Sequence, residues 1–333
     1  SLRAIELHPS IDILAHLDKD LGSVLVARGE SLDDYIQDIQ HVRRRESIAM
    51  TPPNAFSALQ KLAGLTPTPN SKKEEKENRT SVINSVHSIT DTSNDVVLGS
   101  CGLSVQYAIM MGLIDNAQQT YPKKPIKIIV PPNCYGGTND QARRVAEATE
   151  NVSIMDLPVD KDNDMVESTH QVLDQAARED AVPLIIAEIP TNPRVEVPDL
   201  RLLEAALSKE RQNSTGQTAT APVFILDQTF CPNVQFLSDS GIFSDVQTIS
   251  YVSGSKFPSG GKCTAGYGVA NSKAEHLMPD IQKHIHICDN KATDLQIEIL
   301  AEQLPSMNQR IYDAFKNTQG FVNFIKQTLP EAK

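Results

Sequence analysis

The stretch Ser253-Gly254-Ser255-Lys256 places a lysine in a turn of small residues, directly after the β-rich run Val246–Val252. An earlier run, Val223–Leu226, is apolar throughout and is followed at once by Asp227. Short runs rich in β-branched and aromatic residues are typical of buried strands. The sequence therefore predicts a lysine and an aspartate at the points where two strands open into loops.

The same alternation extends over residues 95–272, which we predict to be one large domain. Its strands are predicted at Val96–Leu98, Ile126–Val130, Val152–Met155, Leu184–Ile189, Val223–Leu226 and Val246–Val252. Helix-spaced apolar residues fall at Leu103–Asn116, Asn139–Thr149, Asp164–Arg178 and Leu200–Lys209. Nearly apolar strands separated by amphipathic helices indicate an α/β fold, with a mostly parallel sheet between helices. We expect Ala265–Ala270 to add a seventh, antiparallel strand.

The segments outside this domain differ in composition. Residues 1–65 are predicted to be an N-terminal helical arm, with helices over Asp12–Asp20 and Leu32–Val42. Residues 66–94 are predicted to be a polar insertion and linker, because they are rich in polar and charged side chains. Residues 273–333 carry helices that are expected to lead toward a C-terminal domain missing from this sequence.

Composition and charge narrow the class of protein. The 333 residues are 40% hydrophobic and carry a net charge of −11. This negative charge disfavours nucleic acid and anionic membranes as partners, and no apolar run is long enough to span a bilayer. Scattered cysteines without CxxC spacing indicate reduced thiols, a cytoplasmic location and no structural zinc site. The cysteines are Cys101, Cys134, Cys231, Cys263 and Cys288.

The strand ends carry the residues with the clearest chemistry, because ligands of open α/β sheets bind at the carboxyl ends of the strands. Pyridoxal phosphate chemistry needs an amine such as Lys256 to form a Schiff base, and a carboxylate such as Asp227 to keep the pyridine nitrogen protonated. The turn at residues 99–102 opens a helix and is suited to a phosphate group; it is equally typical of a tight strand–helix turn. The hydroxyls of Ser253 and Ser255 would add donors.

Two further strand ends carry side chains that suit a planar cofactor. Tyr135 lies in the loop after Ile126–Val130, where its ring could stack on another ring. Asn192 follows Leu184–Ile189, and its amide could donate to a phenolic oxygen. Taken alone, a tyrosine such as Tyr135 is more often a packing residue, and the segment around Asn192 is by itself typical of a turn formed by prolines.

Other motifs fit less well. The pair Gly261-Lys262 lacks the spacing of a P-loop, and Cys263 stands where that motif needs Ser or Thr. No G-x-G-x-x-G follows the first strand of the large domain, which disfavours a dinucleotide site. His284 and His286 are spaced to lie on one side of a strand. Without Cys or carboxylate partners at ligand spacing, we expect them to be structural and expect no metal site.

Five segments together resemble the Cys/Met-metabolism (trans-sulfuration) family of pyridoxal phosphate enzymes, which includes cystathionine γ-synthase and lyase. They follow the family's order between about residues 95 and 272. Tyr135-Gly136-Gly137-Thr138-Asn139 matches its stacking-tyrosine loop, and Ile189-Pro190-Thr191-Asn192-Pro193 is similar to its S-P-T-N-P segment. The other three are Leu226-Asp227-Gln228-Thr229-Phe230 for D-N-T-F, Ser253-Gly254-Ser255-Lys256-Phe257 for S-A-T-K-Y, and Cys101-Gly102-Leu103 for S-G-L/M, with Cys in place of Ser.

The resemblance implies the aspartate-aminotransferase-like fold, fold type I of the pyridoxal phosphate-dependent transferases, with a truncated small C-terminal domain. It implies catalytic roles for three residues: Lys256 as the aldimine lysine and base, Asp227 as the partner of the ring nitrogen, and Tyr135 as the stacking ring. The other implied cofactor-binding residues are Cys101, Gly102, Leu103, Asn192, Thr229, Ser253 and Ser255.

The resemblance also implies a homodimeric or homotetrameric lyase or transferase. It would act by β- or γ-elimination or replacement on a sulfur-containing or O-activated amino acid. An aminotransferase or decarboxylase of the same fold, or a catalytically incompetent scaffold, stay open as alternatives. Two family features have no match here: a Y-x-R segment, for which Arg43-Arg44-Arg45 is the nearest basic cluster, and a C-terminal arginine that binds the substrate carboxylate.

Overall fold

The computed structural model of the chain describes residues 11–18, 22–29, 52–66, 72–159 and 164–331, together with Leu32, Ile36 and Gln37. The helix predicted over Leu32–Val42 and the basic cluster at residues 43–45 therefore lie largely or wholly outside the described residues. The first described helix, α1 (Pro52–Leu62), covers the end of the predicted N-terminal arm.

The N-terminal arm contains strands where we predicted a helix. β1 (Ile11–Asp18) and β2 (Gly22–Gly29) form an antiparallel two-stranded sheet, so the helix predicted over Asp12–Asp20 is wrong up to Asp18. Apart from Leu14, the residues of β1 alternate between apolar and polar at a period of two, which is the period of a strand. Pairing with β2, for example of Ile13 with Ala27, supplies backbone partners that a single-segment pattern does not reveal.

Seven strands form the central sheet, and their bounds agree with the predicted runs to within two residues. They are β3 (Val96–Gly99), β4 (Ile126–Val130), β5 (Val152–Asp156), β6 (Val182–Glu188), β7 (Val223–Asp227), β8 (Gln247–Ser253) and β9 (Gly266–Ala270). Their order is β3-β9-β8-β7-β6-β4-β5. β9 is antiparallel to both of its neighbours, whereas the other pairs are parallel. The predicted mostly parallel sheet with one antiparallel strand is confirmed.

Helices cover both faces of this sheet. They are α2 (Lys72–Thr90), α3 (Gly102–Thr120), α4 (Gly136–Ala148), α5 (Met165–Arg178), α6 (Leu200–Ser208), α7 (Met278–Ile287), α8 (Asp294–Gln303) and α9 (Met307–Thr328). Successive strand residues point to opposite faces. Ile128 and Ile186 therefore pack under α3, α4 and α7, while Ile129 and Ile185 pack under α5 and α6. Of the helices described, none combines the length and apolarity needed to cross a bilayer.

The polar linker predicted over residues 66–94 is wrong for α2, which is a helix packed on the body of the protein. Val82, Val86 and Ile89 are buried and share a cluster with Ile297 and Leu300 of α8. These three residues lie one or two turns apart and form a narrow apolar stripe. Because most of the other residues of α2 are polar or charged, its average composition resembles that of a linker.

The two histidines predicted to lie on a strand belong to a helix. His284 and His286 are both in α7, whose buried face includes Met278, Ile281 and Ile285 at helical spacing. The helices predicted over residues 273–333 include α8 and α9, with Pro305 in a short 3₁₀ turn between them.

Candidate active site

A cavity of about 280 Å³ opens at the carboxyl ends of β3, β6, β7 and β8. Parallel strands bring residues that are distant in the chain to the same edge of a sheet. The cavity is lined by all ten of the predicted cofactor residues: Cys101, Gly102, Leu103, Tyr135, Asn192, Asp227, Thr229, Ser253, Ser255 and Lys256. The structure therefore brings these residues together, whereas their roles stay predictions.

One side of the cavity, called here the glycine–serine side, consists of Cys101, Gly102, Leu103, Ser253 and Ser255. Cys101 caps α3: its sulfur accepts from the Ser104 amide at 3.4 Å, and its own amide donates to Ser104 Oγ at 3.0 Å. The hydroxyls of Ser253 and Ser255 are 2.9 Å apart.

A glycine lets the two turns of the glycine–serine side meet. A Cβ added at Gly102 would lie 2.9 Å from Ser253 Cβ and 3.0 Å from its Cα, closer than side chains pack. The first amide groups of a helix have no acceptor within the helix, and the helix dipole makes that end positive. The start of α3 and the two hydroxyls therefore form an arrangement that can bind an anion.

Lys256 extends from the turn that follows β8. Its amine donates to Ser255 Oγ at 3.4 Å, and its side chain is exposed at the cavity. The turn is held by backbone hydrogen bonds from Gly254 to Ala265 at 2.6 Å and from Gly261 to Lys256 at 3.2 Å. The lysine is thus presented by an ordered turn next to the glycine–serine side.

The opposite side, called here the acidic side, consists of Glu188, Asp227, Tyr251, Gln106 and Thr138. Glu188 and Asp227 end two adjacent parallel strands and are direct partners in the register of β6 and β7. Two carboxyl groups this close disfavour each other's ionisation. At least one of these two carboxyl groups is therefore favoured in its protonated form.

Asp227 lies at the end of β7, next to the loop that contains Thr229 and beside Tyr251 of β8. Its Oδ1 accepts from the Thr229 amide at 2.9 Å, and Tyr251 on β8 is its register partner on the neighbouring strand. Burial raises the pKa of Asp227 above its usual value, while the hydrogen bond from Thr229 and the nearby Lys256 ammonium oppose that rise. A positive partner in the cavity would shift the balance toward the carboxylate.

Glu188 holds two of the loops that line the cavity. Its two oxygens accept from the backbone amides of Tyr135 at 2.8 Å and of Asn192 at 3.2 Å. Burial raises the pKa of Glu188 to about 7, with a further contribution from the Asp227 carboxylate, whereas the two amide donors lower it. One carboxyl group thus fixes the backbones of the predicted stacking tyrosine and of the predicted amide donor.

Comparisons with known proteins agree with this architecture. No family profile and no curated protein matches the sequence. Among solved structures, metB from Corynebacterium glutamicum matches with a TM-score of 0.54 and 17% identity, over 76% of this chain and 57% of that one. The cystathionine γ-lyase CalE6 from Micromonospora echinospora matches with a TM-score of 0.50 and 16% identity, over 69% and 52%. The chain has fold type I.

The expectation of fold type I, drawn from five short motifs, is therefore confirmed. The chain spans about half the length of these two structures. Within fold type I, the cavity described above lies where the family's motifs led us to expect it, at the carboxyl ends of the strands.

Sequence reasoning missed four residues of the acidic side. Gln106, Thr138 and Tyr251 are buried and line the cavity, and Glu188 is 6% exposed. A signal existed for Glu188, which is an acid at the carboxyl end of an otherwise apolar strand. Gln106 and Tyr251 lie within apolar patterns of α3 and β8, so their polar groups had no visible partner until the fold brought them together.

The remaining reactive side chains have other surroundings. Burial raises the pKa of Cys231 to about 12, and the Cys231 thiol donates to the carbonyl of Ile189 at 2.9 Å. Burial also raises the pKa of Cys134 far above its usual value, so both are neutral thiols rather than nucleophiles. His284 contacts Asp115 at 2.9 Å, which joins α7 to α3. Within the described ranges, no cluster of three metal-binding side chains occurs.

Proposed function

We propose that the protein binds pyridoxal 5′-phosphate and acts as a trans-sulfuration-type lyase or transferase on a sulfur-containing or O-activated amino acid. The observation that carries this proposal is that Lys256, Asp227 and the glycine–serine side border one cavity. This cofactor requires three groups in one site: an amine for its aldehyde, a carboxylate for its ring nitrogen and an anion-binding site for its phosphate. The fold type I neighbours support the same assignment.

The residues present fit this cofactor. The start of α3, with the hydroxyls of Ser253 and Ser255, offers donors to a phosphate group. Gly102 leaves the space in which these donors converge, because any Cβ there would collide with Ser253. Lys256 supplies a primary amine beside them, and a cavity of about 280 Å³ is close to the lower limit for small-molecule sites.

Each proposed role follows from a side chain of this protein. When bound, the cofactor withdraws electrons from the substrate Cα. We assign to the Lys256 amine the transfer of the Cα proton, because an uncharged amine is a base and this one stands at the cavity. Asp227 would keep the ring nitrogen protonated, since a neighbouring carboxylate favours the positive form. Glu188 would keep the loops of Tyr135 and Asn192 in place.

The first experiment tests cofactor binding. Purified protein is mixed with pyridoxal phosphate, and a visible absorption band is expected as the aldehyde reacts with Lys256. Lys256→Ala should lose the band completely. The matched control is Lys262→Ala, which removes an exposed lysine of the same loop that pairs with Glu302 at 3.5 Å, and it should keep the band. Absence of the band in the unmodified protein would refute the proposal.

The second experiment separates the reactions. A lyase of the proposed type should release pyruvate, 2-oxobutyrate or sulfide from cystathionine, homocysteine or O-acetylhomoserine. An aminotransferase would instead yield the keto acid of the intact substrate, and a decarboxylase would release carbon dioxide. A band that no amino acid perturbs would replace the enzyme assignment by that of a cofactor-binding scaffold.

A further inference from the structure

Behind Asp227, the acidic side contains a buried hydrogen-bonded network that joins three elements of the fold. Tyr251 is the direct register partner of Asp227 on the neighbouring strand, so their side chains share one face of the sheet. The Tyr251 hydroxyl lies 2.9 Å from Gln106 Oε1 on α3 and 3.4 Å from Thr138 Oγ1 on α4. All three residues are at most 2% exposed, so their polar groups depend on one another.

The Tyr251 hydroxyl can donate only one hydrogen bond, which limits how the polar groups of this network can be paired. A phenol has one proton, and two acceptors compete for it: Gln106 Oε1 at 2.9 Å, and the carboxylate of Asp227, its register partner on the same face of the sheet. The Thr138 hydroxyl also donates to Gln106 Oε1 at 3.0 Å. Gln106 therefore keeps a donor if the phenol turns toward Asp227, and no buried acceptor is left without a partner.

We propose that Tyr251 is a positioning residue for Asp227. Oriented by Gln106, its hydroxyl donates a hydrogen bond to ionised Asp227 and so favours a protonated cofactor nitrogen. This inference rests on the proposed function. Burial raises the pKa of Tyr251 well above its usual value, and the Asp227 carboxylate adds to the rise. The phenol thus stays a donor. When Asp227 is protonated, the phenol can turn back to Gln106.

The test compares two ligands that differ at one atom. Pyridoxal phosphate and 1-deazapyridoxal phosphate both carry the aldehyde and the phosphate, but the second has CH in place of the ring nitrogen. Dissociation constants of both are measured on the unmodified protein and on Tyr251→Phe. We expect Tyr251→Phe to reduce the preference for pyridoxal phosphate by about tenfold, the usual effect of one hydrogen bond to a charged group.

Two further variants separate this role from a structural one. Gln106→Met should reduce the preference by about threefold, because it removes a neutral hydrogen bond that orients the phenol. Tyr267→Phe is the matched control: Tyr267 lies on adjacent β9, is 2% exposed, and its hydroxyl has no hydrogen-bond partner among the described residues. It should leave the preference unchanged.

The outcomes distinguish the two proposals. If the unmodified protein binds neither ligand, the proposed function fails. If it binds both but Tyr251→Phe and Gln106→Met weaken them equally, with an unchanged ratio, the inference about Tyr251 is overturned and cofactor binding stands. Should Tyr251→Phe not fold, the ratio measured for Gln106→Met decides the question alone.

Discussion

The glycine–serine side of the cavity is formed largely by backbone and small hydroxyl groups, whereas the acidic side contains three titratable side chains, those of Glu188, Asp227 and Tyr251. On the first, the decisive quantity is space: Gly102 and Ser253 approach so closely that no Cβ fits between them. On the second, the decisive quantity is the protonation state of the carboxyl groups, because Glu188 and Asp227 are register partners and the ionisation of each disfavours that of the other. One cavity thus combines a side sensitive to steric change with a side sensitive to pH.

The largest expected effect concerns the acidic side. In the folded protein, burial raises the pKa of Glu188 from 4.5 to about 7. The folded state therefore binds the proton more tightly than the unfolded state, and the stability that this contributes is present below pH 4.5 and lost as the pH rises through 7. A shift of this size corresponds to about 3 kcal/mol in the free energy of unfolding.

Glu188→Gln removes this titration. Relative to the unmodified protein, the variant should gain stability as the pH rises between 4.5 and 7, as measured by urea unfolding of the protein without cofactor. Glu147→Gln, at an exposed position of α4, should follow the unmodified protein at every pH. If the stability of Glu188→Gln and of the unmodified protein changed with pH in parallel, the titration of Glu188 would not contribute to stability and the contrast between the two sides would fail.

The next effect concerns the glycine–serine side. Gly102→Ala places a methyl group 2.9 Å from Ser253 Cβ, and overpacking of this kind costs about 1–3 kcal/mol. Gly320→Ala is the control, because its added Cβ has no atom within 4 Å other than those of its chain neighbours and the nearby backbone of α9, and Ala is favoured over Gly in a helix by about 1 kcal/mol. Urea unfolding should therefore move in opposite directions for the two variants. A stable Gly102→Ala protein would contradict the steric account.

The smallest effect concerns the cap of α3. Cys101 stands where the motif that this segment resembles has a serine, and its sulfur accepts from the Ser104 amide at 3.4 Å. Serine is a preferred N-cap, so Cys101→Ser should raise the free energy of unfolding by about 0.5 kcal/mol. It should also leave the pH dependence unchanged, since it acts on the side of the cavity that does not hold protons. Thermal unfolding at two pH values checks both statements, and a loss of stability would count against the cap.

The glycine–serine side was predictable from sequence, and the acidic side only in part. Small residues after a strand are visible as a local pattern, and so is a lysine or an aspartate at a strand end. Gln106 and Tyr251 are 145 positions apart, and each belongs to an apolar pattern of its own element. Their hydrogen bond exists only because α3 lies across β8.

The sequence alone determined the alternation of strands and helices, fold type I, and ten residues that line the cavity. The alternation follows from local periodicity, whereas fold type I and the site residues follow from five short motifs that resemble those of a known family. Tertiary structure decided that β1 and β2 pair, that α2 docks through a narrow stripe, and that Glu188 stands beside Asp227. Strand register, helix docking and burial depend on contacts between segments that are distant in the sequence. The pKa of a carboxyl group such as that of Glu188 depends in turn on how deeply those contacts bury it.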